Sequence, residues 1–223
     1  MPAKSSAEHD DDPYNTKETY NYDHTSHAKK LELHELWVET IGEQGRKLTE
    51  DEVDFTKLDI TLKELLLYSA FLTECKFDQL DLRKTDFYRG WLCSSTFRKA
   101  TMDYCSFVKA DLLLVDFSYA TLTHANFLSS ECFETLYFGT HLEYANFTAA
   151  LCIDTDFRQA QLMNVDIKVS RFKNVLLQGA NLTGMKGIEE ADIESINLGT
   201  VEEPIILEGE QAKAWMIEQA NLN

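Results

Sequence analysis

The chain has 223 residues, of which 44% are hydrophobic, and its formal net charge at pH 7 is −17. This length suits one domain with tails, and an acid excess of this size argues against direct contact with nucleic acid. No run of 18 uncharged apolar residues occurs and the N-terminus lacks the apolar segment of a secretory signal, so we expect a cytoplasmic protein that does not enter membranes.

The N-terminal part divides into a tail and a helix. Residues 1–30 form a polar, acidic tail that is poor in aliphatic side chains, a composition typical of disorder. Residues 31–45 are predicted to form a short amphipathic helix that ends at a glycine. The apolar side of this helix comprises Leu33, Leu36, Trp37 and Ile41.

A large apolar residue returns at every fifth position from Leu62 to Leu182. All 25 positions of this register are Leu, Phe, Met, Ile, Tyr or Cys. An amphipathic helix repeats every 3.6 residues and a half-buried strand every 2, so neither explains the spacing. Similar residue types recur every twenty residues, which is typical of a solenoid whose coils have four five-residue sides. The register predicts an inward-facing core stack of Leu82, Phe87, Leu92, Phe97, Met102, Phe107, Leu112, Phe117, Leu122, Phe127, Tyr137, Leu142, Phe147, Phe157 and Leu162.

The position two residues before each large one is always small. From Thr85 to Ala180, all twenty of these residues are Ala, Ser, Thr, Val, Cys or Gly. We therefore expect a square tube in which large side chains fill the axis, small ones lie beside them, and the other three positions of each five face water.

The repeats resemble those of a known family. The segments "ADLLLVDFSYATLTHANF" and "GANLTG" are similar to the A(D/N)Lxx units of pentapeptide-repeat proteins. That resemblance implies an all-β solenoid, a right-handed quadrilateral β-helix of about six to seven coils of four pentapeptides, which we place at residues 46–200. The match is weaker at 53–60 and 191–198, where the spacing is kept but the register slips.

Residues 201–223 contain a second predicted helix, "EGEQAKAWMIEQANLN". A solenoid needs covered ends, because its last coils otherwise expose core residues and unpaired strand groups. We interpret the two helices as caps, with Trp37 and Trp215 as capping residues. The alternative for the C-terminal helix is pairing with another subunit, as in dimeric members of the family that the chain resembles.

The residue types that could act in catalysis or bind a metal show no catalytic pattern. The six histidines and five cysteines lack metal-ligand or triad spacing, and no nucleotide-binding or hydrolase motif appears. The sequence therefore predicts no enzyme activity, no catalytic or metal site and no cofactor. Cys132 and Cys152 are expected one coil apart, close enough for a disulfide, although a reducing compartment disfavours one.

The residues that follow the large ones point outward and are apolar on two adjacent walls. The predicted partner-binding stripe comprises Tyr88, Val108 and Leu128 on one wall, Leu113, Phe133 and Ile153 on the next, and Leu136 and Phe138 nearby. A contiguous apolar patch usually marks an interaction site. The open alternative is that the N-terminal tail or a loop covers this side.

We interpret the chain as a non-enzymatic, rigid scaffold that binds a protein partner or itself through this stripe. The resemblance implies an alternative, a DNA mimic that binds a type II topoisomerase (gyrase) and protects it from quinolones or toxins. Residues 62–182 carry 14 acids against 12 bases, which departs from a uniformly anionic rod, and the bases among them are expected to pair with nearby acids. A third possibility is an exported effector.

Overall fold

The computed structural model describes residues 25–222, so the predicted tail lies almost wholly outside the described residues. It is a β-solenoid of about seven turns with one helix at each end. The elements in chain order are α1 His27–Glu39, β1 Thr49–Asp51, a 3-10 turn Phe55–Lys57, β2 Phe71–Thr73, β3 Glu131–Phe133, β4 Leu151–Ile153, β5 Arg171–Lys173, β6 Val175–Leu176, β7 Asp192–Ile193, β8 Ser195–Asn197, β9 Ile206–Glu208 and α2 Gly209–Ala220. The predicted quadrilateral β-helix is confirmed.

Consecutive coils pair in parallel at a separation of twenty residues. Bridges join Ser106 to Asn126 and Asn126 to Asn146, and β3 pairs with β4 so that Cys132 faces Cys152. Backbone amides donate along the tube, as from Phe107 to the carbonyl of Asn126 at 2.7 Å. Most backbone groups are therefore satisfied between coils, and a shorter-range bond closes each corner within a coil, as from the Ala110 amide to the Phe107 carbonyl at 3.0 Å.

Four walls enclose the axis, and each is named here by its column of large residues. Wall 1 carries Leu82, Met102, Leu122, Leu142 and Leu162; wall 2 carries Phe87, Phe107, Phe127 and Phe147; wall 3 carries Leu92, Leu112, Cys132 and Cys152; and wall 4 carries Phe97, Phe117, Tyr137 and Phe157. Every one of these side chains is at most 2% exposed.

Aromatic rings on walls 2 and 4 fill the axis as two ladders. Phe107 stacks on Phe127 with ring centroids 4.9 Å apart, and Phe97 stacks on Phe117 at 5.2 Å. The ladders meet edge to face, with the Phe107 and Phe117 rings 5.4 Å apart at 74°. Both arrangements are favoured by the ring quadrupoles, so the ladders add specificity to the apolar burial.

Some of the small inward residues are Ser or Thr, and their hydroxyls donate hydrogen bonds to backbone carbonyls of the preceding coil. Thr85 Oγ1 donates to the carbonyl of Leu62 at 2.6 Å, and Thr140 Oγ1 donates to that of Phe117 at 3.0 Å. Because a buried hydroxyl without a partner costs free energy, these bonds explain why Ser and Thr share the small site with Ala.

The corners lie at the second residue after each large one. Leu114 and Tyr119, for example, have φ of 59° and 61°. This left-handed backbone costs a non-glycine residue about 1–2 kcal/mol. The Leu114 amide donates to the carbonyl of Phe133 on the next coil at 3.0 Å, so coil stacking offsets the strain.

The N-terminal cap differs from the predicted segment 31–45. Helix α1 begins earlier, where the Ser26 side chain accepts from the Lys29 amide at 3.3 Å, and its last turn closes at Thr40, whose hydroxyl donates to the Leu36 carbonyl. Ile41 lies beyond the helix and is 94% exposed, so its placement on the apolar side was wrong.

The residues of α1 that are buried against the first coil are Leu31 and His34. His34 Nδ1 accepts from the Leu48 amide at 2.9 Å. The half-buried Trp37 ring stacks on the imidazole with ring centroids 5.7 Å apart. The Lys47 ammonium lies over the Trp37 ring, 5.2 Å from its centroid. A histidine thus takes the central place in this cap.

The C-terminal end is covered by β9 and α2. Strand β9 pairs antiparallel with β8, and Ala212 and Met216 of α2 are fully buried against the last coil. The Gly184 amide donates to the Ala220 carbonyl at 2.8 Å. Trp215 is half-buried and packs against the core. Helix α2 therefore closes the tube within its own chain.

The buried His34 makes the stability of the fold sensitive to pH. Burial, together with the nearby Lys47 charge, lowers the pKa of His34 to about 4. The unfolded chain binds this proton near pH 6.5, so unfolding becomes easier as pH falls from about 6.5 to 4, by up to about 3 kcal/mol. We expect His34→Asn, which retains an acceptor for Leu48, to flatten this dependence in urea unfolding at pH 6.5 and pH 5. Parallel curves for the two proteins would contradict this.

Candidate interaction surface

The structure brings one half of the predicted stripe into a column. Leu113, Phe133 and Ile153 lie on consecutive coils of wall 3, with Phe133 directly beside Ile153 across the β3–β4 pair. Each of the three side chains is half-buried, because the coils above and below cover part of it. They form a shallow apolar strip rather than freely projecting side chains.

The other predicted residues lie on neighbouring walls. Tyr88, Val108 and Leu128 are half-buried on wall 2, where the Tyr88 ring packs against Tyr68 at 5.8 Å. Leu136 and Phe138 belong to wall 4. Leu136 is 39% exposed, and the Phe138 ring is held by Tyr119 at 5.5 Å and Arg158 at 5.8 Å. Wall 3 is therefore the most continuous part of the stripe.

Sequence reasoning missed two aromatic side chains on wall 3. Phe71 and Trp91 stack with ring centroids 5.6 Å apart and are 38% and 47% exposed. Each of them precedes a large inward residue, so a reading of that column at a spacing of twenty would have found them. Leu114, at the corner between walls 3 and 4, is 48% exposed. These residues extend the apolar strip along the tube.

We call this set the wall 3 strip. It comprises Phe71, Trp91, Leu113, Leu114, Phe133, Leu151 and Ile153.

Wall 3 differs from the other walls in charge. Its pentapeptides at 70–74, 90–94, 110–114, 130–134 and 150–154 together contain five acidic residues and no Lys, Arg or His. The next pentapeptide of this wall, 170–174, carries Arg171 and Lys173, which pair with Asp192 and Glu194 on the last coil. The five acids are Glu74, Asp111, Glu131, Glu134 and Asp154. Across residues 25–222, no ion pair joins any of them to a basic side chain. The strip is thus bordered by uncompensated negative charge.

Most acids on walls 1 and 4 are instead paired with bases. Arg83 contacts Asp81 at 2.6 Å on wall 1, and Arg158 contacts Asp156 at 2.7 Å on wall 4. The Arg98 side chain reaches the buried Asp116 carboxylate at 2.5 Å. Arg83, Lys84 and Arg98 thus pair with acids as expected. Among residues 25–222 no ion pair joins Arg89, Lys99 or Lys109 to an acid, so the expected pairing of the early basic residues holds only in part. Wall 3 remains the acidic side.

Other reactive side chains are enclosed or dispersed. All five cysteines are free, and burial raises the pKa of Cys75 to about 12, which disfavours a reactive thiolate. In the described part of the chain, no three His, Cys, Asp or Glu side chains are arranged to hold a metal ion. A groove of about 430 Å³ between α1 and β1 is lined by Lys30, Leu33, Arg46, Lys47 and Thr49. Residues 25–222 include no helix with the length and apolarity required to cross a bilayer.

The fold is a β-solenoid with five-residue sides. Its coils are regular, its walls are flat, and a large side chain points inward at every fifth residue. The family model of pentapeptide repeats matches the chain in eight copies, over residues 97–127 and 140–184. Over these residues the chain carries the repeats of the pentapeptide-repeat family, as the resemblance implied.

Individual proteins of known structure resemble the chain at low sequence identity. No curated protein matches the chain significantly. A pentapeptide repeat protein from the Arabidopsis thaliana thylakoid lumen is 22% identical, with a TM-score of 0.36 over 44% of this chain and 67% of that one. Rfr23 from the cyanobacterium Cyanothece 51142 is 13% identical, with a TM-score of 0.43 over 65% and 90%. Full-length QnrB1, a plasmid-mediated fluoroquinolone resistance protein, is 13% identical, with a TM-score of 0.39 over 79% and 98%.

Proposed function

We propose that this protein is a non-enzymatic scaffold whose wall 3 strip binds a protein partner. The observation that carries the proposal is the concentration of apolar side chains on wall 3, in the Phe71–Trp91 ring stack and, on the coils that follow, in the column of Leu113, Phe133 and Ile153. Exposed apolar residues scattered singly need no explanation, whereas a contiguous patch on a rigid surface is typical of an interaction site.

The tube favours such a role because its surface is preorganised. Leu112 and Leu114 donate their amides to the next coil at 2.9 and 3.0 Å, which fixes the intervening Leu113 in place. A partner that covers the strip gains about 25 cal/mol for each Å² of apolar surface removed from water. Because the scaffold is already ordered, binding costs less conformational entropy than it would on a flexible surface, and more of the burial free energy contributes to affinity.

The topoisomerase alternative has weaker support in the charge distribution. Occupying the place of duplex DNA calls for negative charge along the rod, whereas most acids of walls 1 and 4 contact bases, as in the Arg83–Asp81 and Arg158–Asp156 pairs. Uncompensated acid is concentrated on wall 3. We therefore favour a partner that covers one wall over one that surrounds the tube.

The proposal is tested by removing the apolar side chain at the middle of the strip. We expect Phe133→Ser to lower capture of the native partner at least tenfold, or to abolish self-association if the partner is a second copy. The neutral replacement leaves the net charge unchanged. Quantitative mass spectrometry after affinity capture and sedimentation velocity measure the two outcomes.

The matched control is Met163→Ser, at the equivalent half-buried position of wall 1. Both variants should melt within a few degrees of each other, because each removes one outward side chain. Capture and self-association that are the same for Phe133→Ser and Met163→Ser would contradict the proposal. A large loss of stability confined to Phe133→Ser, with capture unchanged, would indicate that another part of the chain covers the strip.

A further inference from the structure

We propose, resting on the function proposed above, that the partner segment on wall 3 is a basic amphipathic α-helix that lies along the tube axis. Its apolar side contacts the wall 3 strip, and its Lys and Arg side chains contact the acids that border it. Three properties of the wall lead to this occupant: its charge, its backbone and its spacing.

The charge of wall 3 selects a cationic partner. Glu131 and Glu134 lie on either side of Phe133 in one coil, and both are exposed without a basic partner among residues 25–222. Complementary charge fixes the orientation of a partner and speeds its association. Covering these acids with a neutral or acidic surface would instead leave them desolvated and unpaired, which is costly.

The acids also indicate where the cations lie. Glu74, Glu134 and Asp154 occupy the corner between walls 3 and 4. The opposite corner, shared with wall 2, carries Arg89 and Lys109. A bound helix therefore has its basic side toward wall 4.

The backbone of wall 3 favours a helix over an extended peptide. The Glu131 amide donates to the Ala110 carbonyl at 3.0 Å, and the Glu134 amide donates to the Ile153 carbonyl at 3.0 Å, both along the tube. The face of the wall thus offers no backbone groups for strand addition. An extended peptide laid on it would lose water from its own backbone without replacement, whereas a helix satisfies its backbone internally.

The spacing of the rows agrees with a helix. Adjacent parallel strands lie about 4.8 Å apart, so Leu113 and Ile153, two coils apart, are separated by about 9.6 Å along the tube. Two helical turns advance about 10.8 Å. Two same-face steps of an extended strand advance about 13.2 Å. A helix therefore stays in register with the rows, and the four coil steps from Phe71 to Ile153 match about 13 helical residues.

The test uses the full-length protein and designed peptides as probes. A labelled 14-residue Leu/Lys peptide has leucines at helical i, i+3, i+4 and i+7 spacing. A second has the same composition with Leu and Lys alternating, and a third has Glu in place of every Lys. Binding is measured by fluorescence anisotropy, and helix formation by circular dichroism on mixing. We expect the helical Leu/Lys peptide to bind at least tenfold more tightly than either of the others and to gain helicity.

Charge-reversal variants of the protein distinguish an effect of the wall 3 acids on peptide binding from an effect of the net charge. We expect Glu134→Lys with Asp154→Lys to weaken binding of the helical peptide at least tenfold, because it inverts the acidic corner. Lysine already occupies equivalent corners at Lys84, Lys99 and Lys109, so the variant should fold. The control is Glu189→Lys with Glu190→Lys, which changes the net charge equally at exposed positions in the turn before β7, two coils beyond Ile153, and should alter binding less than twofold.

The outcomes distinguish this inference from the function on which it rests. Equal weakening by both double variants, or equal binding of the alternating peptide, would overturn the helix proposal. If Phe133→Ser abolishes capture of the native partner while the wall 3 charge reversal leaves peptide binding intact, this inference fails and the scaffold function stands. If Phe133→Ser changes neither capture nor self-association, the scaffold function itself fails.

Discussion

We expect Phe117→Asp to prevent the chain from folding, whereas Ser118→Asp, one residue further on, should leave it folded. The Phe117 ring lies in the axis between Phe97 and Tyr137, each 5.2 Å away, and is fully buried. Removing a buried Phe costs about 3–5 kcal/mol, and an unpaired buried charge adds several more. Since a domain is stable by only about 5–15 kcal/mol, the sum is comparable with the whole stability.

Ser118 is the matched control because it shares the same coil and the same change of charge. Its side chain is half-buried on the outer side of wall 4, where a carboxylate remains hydrated. We expect Ser118→Asp to cost less than about 1 kcal/mol. Far-UV circular dichroism and thermal unfolding measure both variants. Melting temperatures that agree for the two would show that the inward register is misplaced by one residue.

The inward register was readable from the sequence because only one arrangement buries every fifth residue. Leu112, Phe117 and Leu122 are each fully buried on successive walls, as their spacing predicts. The corners were not readable, since a residue such as Leu114 has positive φ without being Gly or Asn. Its conformation is imposed by a hydrogen bond to the next coil, whose acceptor Phe133 lies nineteen residues away in the sequence rather than beside it.

The caps and the surface were predicted less completely for related reasons. The N-cap role of Ser26 has a local signal that was missed, whereas the burial of His34 depends on the backbone of Leu48, fourteen residues away. On wall 3, the outward position of Phe133 followed from the register. The contribution of Trp91 did not, because the preceding position on other walls is mostly polar and was treated as solvated. Surface charge pairing likewise needed coordinates, since Arg98 reaches Asp116 across coils.

Two coils depart from the usual pairing of Leu with Phe in the axis, and one of them carries a tyrosine. Walls 3 and 4 combine Leu with Phe at Leu92–Phe97 and Leu112–Phe117, but the next coil has Cys132 with Tyr137 and the one after it Cys152 with Phe157. The Tyr137 hydroxyl lies 3.5 Å from Cys132 Sγ, and both side chains are fully buried. Burial raises the pKa of Tyr137 well above its ordinary value, so the phenol stays neutral. The smaller Cys therefore provides the space that the extra hydroxyl occupies.

This exchange of volume predicts strong coupling between the two positions. We expect Cys132→Leu alone to destabilise the protein by about 1–3 kcal/mol, because the larger side chain meets the Tyr137 hydroxyl in a packed axis. Tyr137→Phe alone should cost about 1 kcal/mol through the lost hydroxyl contact. The double variant restores the Leu–Phe pair of the preceding coil, so we expect it to be more stable than Cys132→Leu. Urea unfolding of the four proteins gives the coupling free energy, which should favour the double variant by at least about 1 kcal/mol. Additive effects would show that the two side chains do not share one space.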